Sequence, residues 1–217
     1  MTSRIYIACL ASYNNGRLHG EWIDATSDAD DMGEQVARIL RASPYPNVMV
    51  KCPDCEGKGT DGDDAEAYLC DLCKGKGSLP SAEEWAVHDY DDETGLLSDL
   101  GETSDLKAIA RLVETAELAE RELGEEGPAI FAAYADHVGV SYISKEEPSD
   151  AVQACRDAYA GSGYTFKDWA ESYVEETGML DQIPEQLRYY FDCEAWARDQ
   201  EVWHTRFGGS CHVFWNH

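Results

Sequence analysis

Basic residues are scarce in this chain of 217 residues. Its 17 lysines and arginines stand against 43 aspartates and glutamates, which gives a formal net charge of −26 at pH 7. Proteins bind nucleic acids largely by neutralising phosphates with lysine and arginine. This balance of charge excludes direct binding to DNA or RNA.

Long apolar runs are also absent. No stretch approaches the roughly 20 apolar residues that a transmembrane helix needs. The short apolar run near the N-terminus is followed at once by the polar residues SYNNGR, without a small-residue cleavage site. We therefore expect a protein without a membrane partner that is made and kept in the cytoplasm.

Sequence signatures of catalysis are missing as well. The histidines, at positions 19, 88, 137, 204, 212 and 217, show no metal-binding spacing of the H-E-x-x-H type. The chain contains no nucleophile elbow and no phosphate loop. We expect that the protein is not an enzyme.

The apolar content is sufficient for a folded core. Hydrophobic residues make up 43% of the chain and include 6 Trp, 12 Tyr and 5 Phe, so the composition is not that of a disordered protein. Negative charge runs along the whole chain and peaks in residues 81–145, where 16 acids and 4 bases give a net charge of −12. Charge alone is also compatible with a solubilising surface or with halophilic adaptation.

The N-terminal pattern predicts a small antiparallel sheet with one helix. RIYIACLASY and RLHGEWIDA have the alternation of strands, and the NNG between them favours a tight hairpin turn. A third strand is predicted over Trp85–Tyr90, and a helix over Asp28–Ala42. The predicted apolar face of that helix comprises Met32, Val36, Ile39 and Leu40.

The pattern of the remaining residues predicts mainly helices. The complete sequence therefore predicts an α+β fold. One helix is predicted over residues 103–123 with Ser104 as its cap, another from Pro128, and a third that ends near Gly161. The helix predicted over residues 103–123 has an apolar stripe of Leu106, Ile109, Ala110, Val113, Ala116 and Leu123. A helix capped by Thr165 follows, with Phe166, Trp169, Ala170, Tyr173 and Val174 inward. Short helices after Pro184 and Asp192 precede a hairpin around Gly208-Gly209.

Two matched cysteine pairs indicate a metal site. Cys52-x-x-Cys55 and Cys70-x-x-Cys73 are each followed by G-x-G, and two such turns supply the four thiolates of a tetrahedral zinc site. We expect one structural zinc ion; a redox role for the pairs is the alternative. The other cysteines, Cys9, Cys155, Cys193 and Cys211, are expected to be small core residues.

The repeated C-x-x-C-x-G-x-G resembles the cysteine-rich module of DnaJ-type chaperones. Those modules use four repeats to hold two zinc ions, whereas the two repeats here suffice for one, and the resemblance does not extend to a chaperone role. Residues 52–77 contain seven acids against three lysines. This segment therefore has no affinity for phosphates.

The rest of the chain resembles the ArdA family of antirestriction proteins. The resemblance lies in RIYIACLASYNNGRLHGEWIDA, EEWAVHDYDD, FAAYADHVG, TFKDWAESYVEETGMLDQIPEQLRYYFDCEAWARD and GGSCHVFW. It covers nearly all of the chain outside about residues 50–80, the cysteine insert, which departs from the family pattern. The resemblance implies an elongated homodimer with three parts in a row and the shape of bent duplex DNA. Such a protein would occupy the DNA groove of type I restriction-modification enzymes, on their methyltransferase and specificity subunits, and inhibit restriction and in some cases modification. Members of the family travel on mobile genetic elements.

The resemblance and the secondary-structure pattern together suggest three domains. Residues 1–99 form an N-terminal α/β domain that carries the zinc-binding insert at about 50–80. Residues 100–145 form a helical middle domain. Residues 146–217 form a C-terminal α/β domain that is expected to dimerise.

Outward carboxylates are the expected substitutes for DNA phosphates. We call the following residues the acidic set: Asp28, Asp30, Asp31, Glu34, Glu83, Glu84, Asp89, Asp91, Asp92, Glu93, Asp105, Glu114, Glu117, Glu120, Glu122, Glu125 and Glu126. No single member is expected to be decisive.

A less charged stretch, the apolar segment Gly178–Arg198, is expected near the dimer interface because the corresponding family region lies there. Its candidate interface residues are Met179, Leu180, Ile183, Leu187, Tyr190, Phe191 and Trp196. The alternative is that they belong to the ordinary core of the third domain.

Two other functions are compatible with the sequence. An acidic binding module for another basic DNA-binding protein would need the same charge, and a zinc-dependent co-chaperone-like protein would use the cysteine insert. The insert itself could extend the acidic surface, contact a further subunit or stabilise a loop.

Overall fold

The structure, a computed structural model, describes residues 3–61 and 68–216. It combines helices with small antiparallel sheets, which confirms the predicted α+β class. The chain divides into two compact units. Unit 1 comprises Met1–Glu93 and Gly101–Ala110, and unit 2 comprises Thr94–Leu100 and Arg111–His217.

Unit 1 contains mainly strands. Its elements, in chain order, are β1 (Arg4–Cys9), α1 (Leu10–Asn14), β2 (Gly20–Asp24), α2 (Ala29–Arg41), β3 (Val48–Lys51), β4 (Thr60–Asp61), β5 (Tyr68–Leu69), β6 (Ser78–Ser81), β7 (Trp85–Asp91) and the start of α3 (Leu106–Leu123).

The core of unit 1 lies between α2 and a three-stranded sheet. The strand order is β2-β1-β7, and both pairings are antiparallel, as predicted. Alternation along β1 buries Ile5 and Ile7 completely, and Met32 and Ile39 of α2 are equally buried. The predicted apolar face of α2 is confirmed, because each of its four residues is buried.

The first two strands pair antiparallel as predicted, but the tight turn predicted between them is wrong. The chain leaves β1 at Cys9 and forms one helical turn, α1, instead of a tight turn at residues 14–16. Strand alternation would point Ser12 away from the core, whereas the helical turn buries it and places its Oγ 3.0 Å from Ser43 Oγ. The helical turn therefore satisfies the buried hydroxyl of Ser12 with a hydrogen-bond partner.

Unit 2 contains the end of α3 and the elements that follow it: α4 (Gly127–Val138), α5 (Val140–Ile143), α6 (Pro148–Ala158), β8 (Tyr159–Gly163), α7 (Phe166–Glu176), α8 (Glu185–Arg188), α9 (Cys193–Arg198), β9 (Val202–Phe207) and β10 (Ser210–Trp215). Short 3-10 helices lie at Ser98–Leu100 and Met179–Gln182.

The second core lies between α7, α9 and the sheet β8-β10-β9. Trp169 and Ala170 of α7 pack with Ala197 of α9 and Val213 of β10. The C-terminal hairpin is confirmed: Gly208 and Gly209 have φ angles of 57° and 90°, which suit a tight turn. The caps at Thr165 and Asp192 are also confirmed.

The helix predicted to end near Gly161 stops at Ala158, and the prediction is wrong for the residues that follow. Tyr159–Gly163 forms β8 and pairs antiparallel with β10. A Cβ atom at Gly163 would lie 2.6 Å from the backbone nitrogen of Trp169, so only glycine permits this approach. Trp169 Nε1 also donates to the carbonyl of Ala160 at 3.0 Å. These long-range contacts override the local helical pattern.

Helix α3 begins later than predicted and is capped by a different residue. Asp105, rather than Ser104, accepts the backbone N–H groups of Lys107 and Ala108, each at 3.1 Å. The predicted stripe is only partly right, because four of its members are half-buried: Leu106, Val113, Ala116 and Leu123. The fully buried positions of the helix are Ile109, Ala110, Leu112, Thr115 and Ala119.

Candidate metal centre and acidic surface

The cysteine insert is built on two short antiparallel ladders in unit 1. The first joins β3 to β6, with Val48 opposite Ser81 and Lys51 opposite Ser78. The second joins β4 to β5, with Thr60 opposite Leu69. The acids at 63, 64 and 66 that were counted in the sequence lie outside the described residues. The ladders bring the two Cys-x-x-Cys turns together.

The two cysteine turns have the same backbone design. In each, the residue after the second cysteine has a positive φ angle, 50° at Glu56 and 52° at Lys74. Further along each turn, a glycine N–H donates to the second cysteine: Gly59 to Cys55 Sγ and Gly77 to Cys73 Sγ, both at 3.2 Å. The two turns therefore direct their sulfurs to one centre, and a glycine N–H of each turn stabilises one of those sulfurs.

The glycines after each pair permit the two turns to cross closely. A Cβ atom at Gly59 would lie 2.6 Å from the carbonyl oxygen of Gly75, and one at Gly77 would lie 2.4 Å from that of Gly57. Such contacts are sterically excluded, so the G-x-G that follows each cysteine pair is a requirement of the fold.

The four sulfur atoms are arranged for one metal ion. Cys52, Cys55, Cys70 and Cys73 are buried, and their sulfurs all lie within 4.8 Å of one another. The Cys52–Cys70 and Cys55–Cys73 sulfur pairs are each 3.7 Å apart. Tetrahedral zinc with bonds of roughly 2.3 Å requires sulfur separations of about 3.8 Å. The predicted cluster is confirmed, and its donors suit a thiophilic metal ion.

The pKa values in the cluster show that all four cysteines would be thiolates together only beside a cation. Burial disfavours the thiolate of Cys73, but the N–H of Gly77 and the sulfurs of Cys55 and Cys70 lower the pKa of Cys73 to about 7. Although the N–H of Cys73 favours the thiolate of Cys70, burial and the sulfurs of Cys52 and Cys73 raise the pKa of Cys70 to about 12. Thiolates this close repel one another, so a cation is needed to stabilise all four.

The acidic set is exposed almost without exception. In unit 1, ten of its eleven members are exposed and Asp92 is half-buried; in unit 2, all six are exposed. Several carboxylates have an additional local role. Asp28 and Asp105 cap helices, and Glu122 pairs with Arg156. The remaining ion pairs recorded among the described residues use acids outside the set. Most of the set is therefore presented to solvent without a basic partner from the described part of the chain.

Two variants of Asp28 distinguish the contribution of its capping hydrogen bonds from that of its charge. Its Oδ1 accepts the N–H groups of Asp30 and Asp31 at 3.0 and 3.1 Å. We expect Asp28→Ala to lower the free energy of unfolding by about 1 kcal/mol. Asp28→Asn, which keeps an accepting oxygen, should lose only part of that. Urea unfolding compares the two variants; equal losses would show that the hydrogen bonds contribute nothing.

None of the candidate interface residues in the apolar segment is fully buried. Leu187 is 55% and Tyr190 78% exposed, and the other five are half-buried. Trp196 packs against the core of unit 2, where its ring stacks on that of Tyr173 with centroids 5.7 Å apart. Sequence reasoning missed Tyr189, which is 90% exposed next to Tyr190. Two adjacent tyrosines that fit no helical or strand periodicity could have indicated this exposed residue.

No helix in the described part of the chain has the length and apolar character to cross a membrane.

Comparison with protein families gives a match over most of the chain. The model of the antirestriction protein ArdA matches residues 5–209, which is most of the chain. A search of curated proteins finds no match.

Proposed function

The chain belongs to the ArdA family of antirestriction proteins, and we propose that it inhibits type I restriction-modification enzymes by occupying their DNA-binding groove. Membership of the family implies the antirestriction function. The exposure of the acidic set supports the mechanism, because exposed carboxylates are available to the lysines and arginines that otherwise bind phosphates.

The amount of charge is of the right order for such a mimic. Duplex DNA carries one negative charge per roughly 1.7 Å of its axis. The net charge of −26 therefore corresponds to roughly 44 Å, or about 13 base pairs, and a homodimer would present twice that. The elongated three-part arrangement, with domains at 1–99, 100–145 and 146–217, is part of this proposal.

Fixed carboxylates explain how a protein can compete with DNA. Acids on helices and strands are held in place before binding, so little ordering free energy is lost when the target closes on them. The contacts are electrostatic, so association should be fast and should weaken with salt. Many weak contacts share the affinity, which is why no single carboxylate is expected to dominate.

Competition with DNA tests this function. A type I methyltransferase, its specificity subunit included, is bound to a fluorescent duplex that carries its recognition site, and the purified protein is titrated in. We expect displacement of the duplex in proportion to the protein added, because the protein binds and does not catalyse. A module for another basic protein would leave the duplex bound, and so would a co-chaperone, which would instead bind unfolded clients.

We further propose that the apolar segment forms a homodimer interface. Exposed aliphatic and aromatic side chains close together are typical of surfaces that another subunit covers. Leu187, Tyr189 and Tyr190 provide the most exposed part of this surface.

The double variant Leu187→Ala/Tyr190→Ala is expected to be monomeric by light scattering at concentrations at which the parent is dimeric. Removal of two central apolar contacts costs several-fold to several hundred-fold in affinity, on the order of 1–4 kcal/mol. Tyr164→Ala is the matched control, since Tyr164 is 74% exposed in unit 2 but lies outside the segment. A dimeric double variant would show that the interface lies elsewhere.

We also propose that the four-cysteine centre holds one structural zinc ion and that the protein acts in the cytoplasm. Zinc prefers four thiolates in a closed tetrahedral site, and the separations of 3.7 Å suit it. The cytoplasm keeps such thiols reduced. Zinc would hold the two turns of the insert together, which is a structural role.

A further inference from the structure

We propose that the four-cysteine centre is also a site of reversible oxidation, in which disulfides Cys52–Cys70 and Cys55–Cys73 replace the metal ion and keep the two turns joined. This proposal rests on the metal site proposed above. The oxidant is a peroxide or another two-electron thiol oxidant.

The distances between sulfurs favour this pairing: two pairs lie at 3.7 Å, within a cluster whose four sulfurs are all within 4.8 Å of one another. The Cys52–Cys70 and Cys55–Cys73 pairs connect one turn with the other, and each pair is already within 3.7 Å. A disulfide requires about 2.05 Å, so each closure needs a movement of less than 2 Å. Both bonds can form together, because the two pairs share no cysteine.

The backbone favours these cross-links over bonds within each Cys-x-x-Cys turn. The backbone N–H of Cys52 donates to the carbonyl of Gly77 at 2.9 Å, and that of Cys70 donates to Gly59 at 3.0 Å. These hydrogen bonds tie each turn to the other one, and a cross-link preserves them. A cross-link also closes a longer loop than a bond within one turn, and longer loops restrict the unfolded chain more.

The chemistry is balanced for each pair. Two thiols form one S–S bond and give up two electrons and two protons, while one molecule of hydrogen peroxide takes them up and becomes two molecules of water. Where the cysteines are thiolates, solvent supplies the protons. Two disulfides leave no thiolate in the cluster, so the metal ion is released. A thiol reductant reverses the reaction by thiol–disulfide exchange.

The sequence permits a direct test of the pairing. Trypsin cuts after Lys51, Lys58 and Lys74, so one cysteine pair falls in the peptide 52–58 and the other in 59–74. The full-length zinc protein is treated with hydrogen peroxide, zinc release is followed with a chromogenic chelator, and the digest is analysed by mass spectrometry without reduction. We expect loss of the bound zinc and a single species in which the two peptides are linked. A second cut before Asp54 and Asp71 separates the cysteines within each peptide and identifies the partners.

Each outcome has a definite meaning. Two separate peptides, each lighter by two hydrogens, would overturn the proposal, as would links of Cys52 to Cys73 and Cys55 to Cys70, or oxidation to sulfinic acids without disulfides. A protein that contains no zinc as purified would refute the metal site proposed above, and mapping of its disulfides would still decide the pairing. Cys193→Ser is the control, since Cys193 is the one half-buried cysteine outside the cluster, and the linked peptides should form in it unchanged.

Discussion

Serine in place of Cys52 or Cys70 is expected to weaken zinc binding by at least roughly 100-fold. Structural zinc sites of four ligands bind with about 10–16 kcal/mol, so each thiolate accounts for roughly 3 kcal/mol or more. Both residues are buried, and no other sulfur of the described residues lies in the cluster to replace them. Competition with a chelator of known affinity measures the loss. Cys193→Ser should bind zinc as the parent does. A Cys52→Ser variant with the zinc affinity of the parent would show that zinc does not bind at the four cysteines.

The same substitution should unfold the insert and leave the remainder of unit 1 folded. The sulfur cluster packs against one apolar neighbour among the described residues, Leu79, whereas the sheet core uses Ile5, Ile7 and Met32. We therefore expect the main thermal transition to be retained while amide exchange of the insert accelerates. Loss of that transition would show that the sheet depends on the metal ion.

Neutralisation of three carboxylates of α3 is expected to lower the affinity for a type I methyltransferase about tenfold. The variant is Glu114→Gln/Glu117→Gln/Glu120→Gln, and all three residues are exposed. An exposed ion pair contributes about 0.5 kcal/mol, so three lost contacts amount to about 1.5 kcal/mol. Each single variant should fall only about twofold.

A matched variant separates position from net charge. Glu171, Glu175 and Glu176 are also exposed, lie on α7 and are outside the acidic set, although Glu171 pairs with Lys167. Their replacement by glutamine removes the same three charges, and we expect less than a twofold change in affinity. Neither variant should unfold, because fewer like charges reduce self-repulsion. Equal losses in both would mean that total charge, rather than a defined surface, determines binding.

The sequence predicted correctly those features that depend on local sequence patterns. The cap at Thr165, the apolar face of α2, the Gly-Gly hairpin and the cysteine cluster each depend on a few neighbouring residues and are all observed. The exposure of the carboxylates on α2 and α3 followed from helical periodicity in the same way.

The failures lie where distant contacts decide the backbone. Ser12 lies in a helical turn and pairs with Ser43, which is far along the chain. Tyr159–Gly163 leaves the helical pattern because β10 provides a strand partner and Trp169 packs against the glycines. The cap of α3 is a local ambiguity instead: serine and aspartate are both favoured N-cap residues, and sequence alone does not rank Ser104 against Asp105. The order of the acidic set in space is likewise a property of tertiary structure.

The salt dependence of inhibition tests the DNA-mimic mechanism most directly. The affinity of the protein for a type I methyltransferase is measured between about 50 and 200 mM salt, beside that of a duplex carrying the recognition site. We predict that the logarithm of the affinity falls linearly with the logarithm of salt concentration for both ligands, by roughly 10³-fold or more over this range if six or more contacts form. Binding of the protein that is independent of salt, or that persists while the duplex remains bound, would contradict the mechanism.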